Sequence, residues 1–333
     1  MQLIYVDDNL PGISRKPKGK QWRYFDPIGK KIQDADVIDR LNSLAFPPAY
    51  KNAWFCPEEN GHILATGFDS KGRKQYRYHP EFRAQQEAKK YEACGVFGRK
   101  LPLLRSQLES DLQGDELNVQ RTLAAVVRLM DLGALRVGNE RNVKQNKSYG
   151  ATTLRTRHAK LTGKTIQLSY RAKSGKERQV NITDRVLSHV IKELQDLPGQ
   201  HLFQYIIEGE RTNVTSGEVN QYIREVMGES FSAKHFRTWR ASVIAFEELV
   251  NATGELTLKS MLDTVSSQLG NTPAIARKSY VHPELISLCK EDEATQEAWR
   301  TSLTLPRKTK YLSRTERGFL ALLNGQSTHH RHN

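Results

Sequence analysis

The chain has 333 residues, 38% of them hydrophobic, and a formal net charge of +14. That length suits two domains, and no run approaches the roughly 18 consecutive apolar residues of a membrane-spanning helix. Three widely spaced cysteines, Cys56, Cys94 and Cys289, fit neither a disulfide framework nor a zinc motif and suit a reducing cytosol. The first residues, "MQLIYVDDNLPG", lack the basic-then-apolar order of a secretory signal.

Residues 1 to about 80 read as short strands joined by turns. "QWRYFDPIGKKIQD" carries two β-prone runs around the turn signal "DPIG", and "HILATGFDSKGRKQYRYH" repeats the pattern around "DSKG". Between them "DADVIDRLNSLAF" predicts a short helix with an Asp cap. From about Pro80 the texture becomes helical, through "PEFRAQQEAKKYEACGVFGRKLPLLRSQLESDL" and "NVQRTLAAVVRLMDLGAL". A hairpin is predicted in "KTIQLSYRAKSGKERQVNI", whose alternating runs flank "AKSG". Helical patterns return in "DRVLSHVIKELQDL", "SGEVNQYIREVMG", "TWRASVIAFEELVNAT" and "TLKSMLDTVSSQLG", and the stretch "EATQEAWRTSL…LSRTERGFLALLN" is helix-prone. The expected class is α+β: a β-rich N-terminal domain over 1–82 and a mostly helical domain with a β-hairpin insert over 83–333. The terminal "HHRHN", with His329, His330 and His332, shows no partner ligands for a metal and reads as a disordered end.

Charge gives the first functional clue. Between Arg136 and Arg178 stand 12 Lys and Arg against two acidic residues, a net +10 in 43 residues. A block that dense favours a polyanionic partner, most often nucleic acid. Chemistry at a phosphodiester needs cations to meet the charge that builds on its oxygens, either a metal or fixed Arg and Lys. The carboxylates here are scattered, so cationic side chains are the expected agents.

Taken singly, each candidate has an ordinary structural reading. In "ALRVGNERN" Arg136 stands at the end of an apolar helix, where the dipole favours a cation. Lys173 and Lys176 occupy a hairpin tip, as solvated turn lysines do. "SAKHFRTWRAS" puts Lys234 and Arg237 one turn apart at a helix start, an unfavourable place for cations unless an anion also sits there. Tyr280 in "NTPAIARKSYVHPEL" reads by itself as a core aromatic.

Their order is more specific. An Arg, a hairpin Lys, Lys-x-x-Arg and a Tyr within a basic helical domain resembles the type IB DNA topoisomerases, especially the small bacterial and poxvirus-like members, and the related tyrosine recombinases. "LRVGNE" matches the family's first catalytic arginine at Arg136, "AKSGK" the hairpin lysine at Lys173, and "AKHFRTWRA" Lys234 and the second arginine, Arg237. "LGNTPAIARKSY" matches the nucleophile segment ending in Tyr280, and "GRKQYRYH" a DNA-contacting strand with Gln75, Tyr76 and Tyr78. Many members of the wider group have His where this chain has Asn271; an amide can donate a hydrogen bond but cannot carry charge.

The resemblance implies a C-shaped clamp around double-stranded DNA, Tyr280 as nucleophile forming a DNA-3′-phosphotyrosine, and Arg136 and Arg237 on the phosphate oxygens. It implies Lys173 as the acid for the leaving 5′ oxygen. The expected partner is duplex DNA, bound by a cytoplasmic, nucleoid-associated monomer with no cofactor, no metal and no membrane. Two alternatives stand beside it. A tyrosine recombinase usually carries His-x-x-Arg where this chain has "KHFR", and a non-catalytic DNA-binding protein would use the same basic surfaces without the ordered set.

Overall fold

The computed structural model describes residues 2–19, 21–114 and 116–329. His330 and His332 of the terminal histidine run lie outside the described residues, and so does the side chain of His329. No helix among the described residues is long and apolar enough to cross a membrane. The chain divides into two compact units, residues 1–90 and 91–333.

The first unit is an antiparallel five-stranded sheet and one helix. Strands β1 (Ile13–Lys18), β2 (Gln21–Phe25), β3 (Lys51–Phe55), β4 (Ile63–Phe68) and β5 (Lys74–Tyr78) run in the order β2-β1-β3-β4-β5. Helix α1 (Ala35–Ser43) starts where Asp34 caps the backbone N–H groups of Asp36 and Val37, as the sequence predicts. Leu41 of that helix packs with Ile13, Tyr24, Phe46, Phe55 and Ala65 to form the unit's core. The second β-prone run after "DPIG" makes only an isolated bridge, Phe25 to Lys31. Asp69 fixes the β4–β5 turn by accepting from the backbone N–H groups of Lys71 and Arg73.

Helix α2 (Pro80–Leu112) contains the division between the units. Its second half buries Leu101, Leu104, Leu108 and Leu112, the three- and four-residue steps of one helix face. The centre of the second unit is α3 (Val119–Gly133), apolar and buried nearly all round, with Asn118 capping its start. Beyond it lie α4 (Glu140–Asn146) and a three-stranded antiparallel sheet of β6 (Ala159–Thr162), β7 (Thr165–Arg171) and β8 (Glu177–Thr183). The predicted hairpin is β7–β8; β6 adds a strand that short-range pattern reading does not reveal. A second feature absent from that reading is the ribbon of β9 (Gln204–Ile207) and β10 (Glu210–Asn213), which comes after α5 (Arg185–Asp196).

The remainder is helical: α6 (Ser216–Met227), α7 (Lys234–Asn251), α8 (Leu258–Leu269), α9 (Pro273–Ser279), α10 (Pro283–Leu288), α11 (Glu293–Ser302) and α12 (Arg314–His329). Apolar residues of α2, α3, α5, α6, α7 and α8 form one continuous core with the inner face of β7 and β8. An antiparallel-sheet unit followed by a mainly helical one is the expected α+β class. The consequence for function is that the loop after α3, the β7–β8 tip, the start of α7 and the α8–α9 junction all meet at one place.

Candidate active site

The loop after α3 carries Arg136. The sequence reading puts this residue at the helix end, and the structure corrects it: α3 stops at Gly133, and Arg136 stands three residues beyond. Ala134 turns the chain, with a left-handed φ of 49°. Further on, the loop is pinned by a second segment. Ala151 N–H donates to Arg136 O at 2.8 Å, and Thr152 N–H donates to Val137 O at 2.7 Å. The two backbones pass so closely that a Cβ on Gly150 would lie 2.6 Å from Gly138 Cα. Arg136 is thereby half-buried and aimed by backbone contacts.

Lys173 sits exposed in the tight 3₁₀ turn Lys173–Gly175 at the β7–β8 tip, where Ser174 and Gly175 both have positive φ. Two residues beyond that turn's midpoint, Lys176 Nζ donates to Asn271 O at 3.1 Å, tying the tip to the α8–α9 junction.

At α7 the predicted Lys-x-x-Arg pair separates. Lys234 is exposed at the first helical residue, whereas Arg237, one turn on, is 4% exposed. The Arg237 guanidinium donates to Ala134 O at 2.6 Å, Leu269 O at 3.0 Å and Asn271 Oδ1 at 2.8 Å. Asn271 comes directly after Gly270, which ends α8 in the left-handed conformation, and Thr272 then caps α9 with Pro273 in its first turn. Tyr280 is the residue that closes α9. Its hydroxyl accepts from Arg136 Nη1 at 3.1 Å, and the Arg237 guanidinium carbon lies 4.9 Å from its ring centre.

These residues line a cavity of about 400 Å³. Arg136, Lys173, Lys176, Arg178 and Arg237 contribute its cations, Asn271 and Tyr280 sit among them, and no carboxylate lines it. Burial alone would push the Tyr280 hydroxyl up, but Arg237 and Arg136 outweigh it and hold it below the ordinary 10. Burial, then repulsion from Arg136, brings Arg237 down to about 10, still far enough above neutrality to keep its charge. Three buried donors beside the cavity have no partner: Arg178 Nε, Arg237 Nε and Asn271 Nδ2. Because the Asn271 carbonyl oxygen is taken by Arg237, its NH₂ is the end left to donate.

Five of the residues singled out from sequence, Arg136, Lys173, Arg237, Asn271 and Tyr280, therefore meet in one cavity. Lys234 is not among its lining residues. Gln75, Tyr76 and Tyr78 belong to the other unit, on the edge strand β5. Alternation places Tyr76 and Tyr78 on one face, where their rings stack 5.6 Å apart and 6° from parallel. Gln75 faces the other way, and its amide donates to Asp69 at 3.1 Å. Sequence reasoning misses Arg178, which is 7% exposed and lines the cavity. Its signal is the phase of β8: Arg178, Val180 and Ile182 share the inward face, so an arginine stands where an apolar residue belongs.

Known proteins resemble this chain along most of its length. Residues 79–301 match the family described as eukaryotic DNA topoisomerase I, catalytic core, and residues 21–69 match bacterial DNA topoisomerase IB, N-terminal domain. The chain is 32% identical to DNA topoisomerase 1B of Acanthamoeba polyphaga mimivirus over 287 residues, covering 82% of this chain and 85% of that one. DNA topoisomerase 1B of Vaccinia virus (strain Copenhagen) is 19% identical over 271 residues, covering 80% and 83%. Among solved structures, the XerH site-specific recombinase bound to palindromic difH gives a TM-score of 0.39 at 16% identity, over 60% of this chain and 50% of that one, a likeness too slight to bear on function. With its catalytic part matched over two thirds of the sequence and a viral relative aligned along most of its length, the chain belongs to the type IB DNA topoisomerases.

Proposed function

We propose that this protein relaxes DNA supercoils of either sign by opening and resealing one strand through a covalent link to Tyr280. The observation that carries the reading is the Tyr280 hydroxyl held by Arg136 in a cationic cavity whose lining includes no carboxylate. A cavity so charged favours an anion, and a backbone phosphate answers its donors.

Tyr280 gives up its proton to solvent, favoured by the two arginines, and its oxygen attacks phosphorus. The Tyr280–phosphate bond forms as the bond to the 5′ oxygen breaks, leaving a DNA-3′-phosphotyrosine. Arg136 and Arg237 meet the non-bridging oxygens, and the free Nδ2 of Asn271 adds a neutral donor. Lys173, exposed on its turn, supplies the proton to the departing 5′ oxygen. The phosphodiester energy is retained in the new bond, so reversal reseals the strand without ATP or a required metal. Between the two steps the free strand rotates.

In the N-terminal unit the stacked Tyr76 and Tyr78, with Gln75, contact the duplex, and Lys234 adds a phosphate contact. The protein acts on duplex DNA as a monomer in the cytoplasm, associated with the nucleoid.

The deciding experiment mixes protein with nicked or supercoiled DNA and runs a denaturing gel. A covalent band is expected from the native chain and none from Tyr280→Phe, which should still bind DNA. Relaxation by Tyr280→Phe, or a strict magnesium requirement for relaxation by the native chain, overturns the mechanism.

A further inference from the structure

One buried cation of the cavity has no part in that mechanism. Arg178 is the cross-strand neighbour of Tyr170 in the β7–β8 register and reaches inward between two helix ends. Its Nη2 donates to Gly133 O at 2.8 Å, the last residue of α3, and to Gln268 O at 3.0 Å, in the last turn of α8. Arg237 makes the same kind of bridge one residue further along each chain segment, from Ala134 O to Leu269 O. The two arginines are thus consecutive rungs between the same two helix ends. Both rungs set positive charge against the negative ends of helix dipoles.

The segments leaving these rungs carry the phosphate donors. Arg136 stands three residues after Gly133, and Asn271 stands three residues after Gln268. The spacing between the α3 and α8 ends therefore fixes the spacing between the donor from one loop and the donor from the other. Nη2 has both hydrogens committed to carbonyls, and Nη1 fills the space beside Gly270, where a Cβ would come within 2.5 Å of it. The guanidinium is thus held between the two helix ends through Nη2. Nε is buried, so what the Arg178 guanidinium visibly does is bridge the α3 and α8 ends.

We infer that Arg178 is a positioning residue for strand cleavage: it holds the Arg136 and Asn271 loops at working separation without touching the phosphate. The inference rests on the proposed function of Tyr280 and deepens it.

The test is single-turnover formation of the covalent adduct at saturating duplex DNA, with native protein, Arg178→Ala, Arg178→Lys, Asn271→Ala and the double variant Arg178→Ala/Asn271→Ala. A misplacement of about 1 Å costs roughly 100-fold, so Arg178→Ala should slow adduct formation by about 10- to 100-fold while the Kd for DNA changes by less than about threefold. Arg178→Lys, which keeps the charge and can reach one carbonyl, should recover part of the rate and serves if the alanine variant does not fold. Residues acting through one another are not additive, so the Arg178→Ala penalty should shrink at least about threefold when Asn271 is already alanine.

A penalty that multiplies in full in the double variant overturns the inference, and so does a loss carried by Kd alone. Native-like rates in both Arg178 variants overturn it too. Each of these outcomes leaves the native adduct intact; if the native chain forms no adduct, the proposed function itself fails.

Discussion

Two groups of buried arginine sit in the same helical unit and are built on opposite principles. Arg105, on α2, is answered in full. It pairs with Asp131 on α3 at 2.8 Å and with Glu316 on α12 at 2.8 Å, and donates to Tyr311 O. Although burial works against its charge, the two carboxylates raise the Arg105 pKa above the ordinary arginine value. In the cavity, Arg237 is answered by carbonyls, an amide and a tyrosine ring, with Arg136 and Arg178 as neighbours, and its pKa is lowered. The first arrangement is complete by itself. The second keeps its cations short of countercharge, and in the proposed mechanism that deficit is what an incoming phosphate removes.

The sharpest way to break this comparison is to remove one arginine from each side and read the rate of strand cleavage. Arg237→Ala takes a donor from the developing phosphate charge, and adduct formation should fall by roughly 100- to 1,000-fold. Arg105→Met, scored per folded molecule, should stay within about threefold of native. Equal losses would mean that the Arg105 cluster is part of the working site.

Stability should reverse the order. Removing one member of a buried, hydrogen-bonded charge cluster strands its partners and costs about 3 to 5 kcal/mol. Arg105→Met should therefore lower stability by about that amount in urea or thermal unfolding. Arg237→Met strands acceptors, at about 1 to 3 kcal/mol, but also removes a desolvated, unbalanced charge, so its net cost should be smaller than that of Arg105→Met. A larger loss from Arg237→Met than from Arg105→Met would sink the contrast.

How far sequence reaches differs between the two groups. The cavity residues found from sequence each lie beside a local signal: a turn after an apolar helix, a hairpin tip, a helix start, a Thr-Pro start. Those signals survive in one dimension, and their order supplies the rest. Arg105 acts through partners far along the chain, so no short window reveals it, and Arg178 shows in one dimension only as a break in the apolar phase of β8. Arg136 stands three residues from its expected place for a packing reason. Chain-end habits put glycine in the left-handed position, yet here Gly133 is the last helical residue, packed where a Cβ would meet Leu135 and Ile182, and Ala134 takes the turn. Strand β6 and the β9–β10 ribbon escape because short strands depend on their neighbours more than on their own residues.

The two groups should also respond to opposite ends of the pH scale. Burial would raise the Glu316 carboxyl, but Arg105 holds it below the ordinary 4.5. A carboxyl depressed in the fold contributes stability that is present above the unfolded value and is lost as pH falls through the folded one. Acid unfolding below about pH 4.5 should thus be steeper in the native chain than in Arg105→Met. At the cavity, Tyr280 lies below the ordinary 10, so the cleavage rate should rise with pH along a limb whose midpoint is below that value. Arg237→Ala should move that midpoint up toward 10, measurable as a shift even on the slowed rate. An unmoved midpoint would show that Arg237 does not act on the phenol.

The smallest effect expected is also the one that separates backbone from side chain as the source of precision. Around Arg105 the aim is set by opposed side chains. Around Arg136 it is set by main chain, since a Cβ on Gly150 would fall 2.6 Å from Gly138 N and Cα and 2.7 Å from Arg136 O. None of these atoms can swing aside as a side chain can, so Gly150→Ala must push the Arg136 loop outward. Overpacking of this kind costs about 1 to 3 kcal/mol. A displacement of a few tenths of an ångström at Arg136 should slow adduct formation by about tenfold, with DNA affinity nearly unchanged. Gly163→Ala is the matched control, because its site has nothing within 4 Å and only the strain of a φ of 57° to bear. If both glycine variants slow cleavage alike, the effect is general backbone strain; if Gly150→Ala alone does, the close pass between Gly138 and Gly150 is what aims Arg136 at the phosphate.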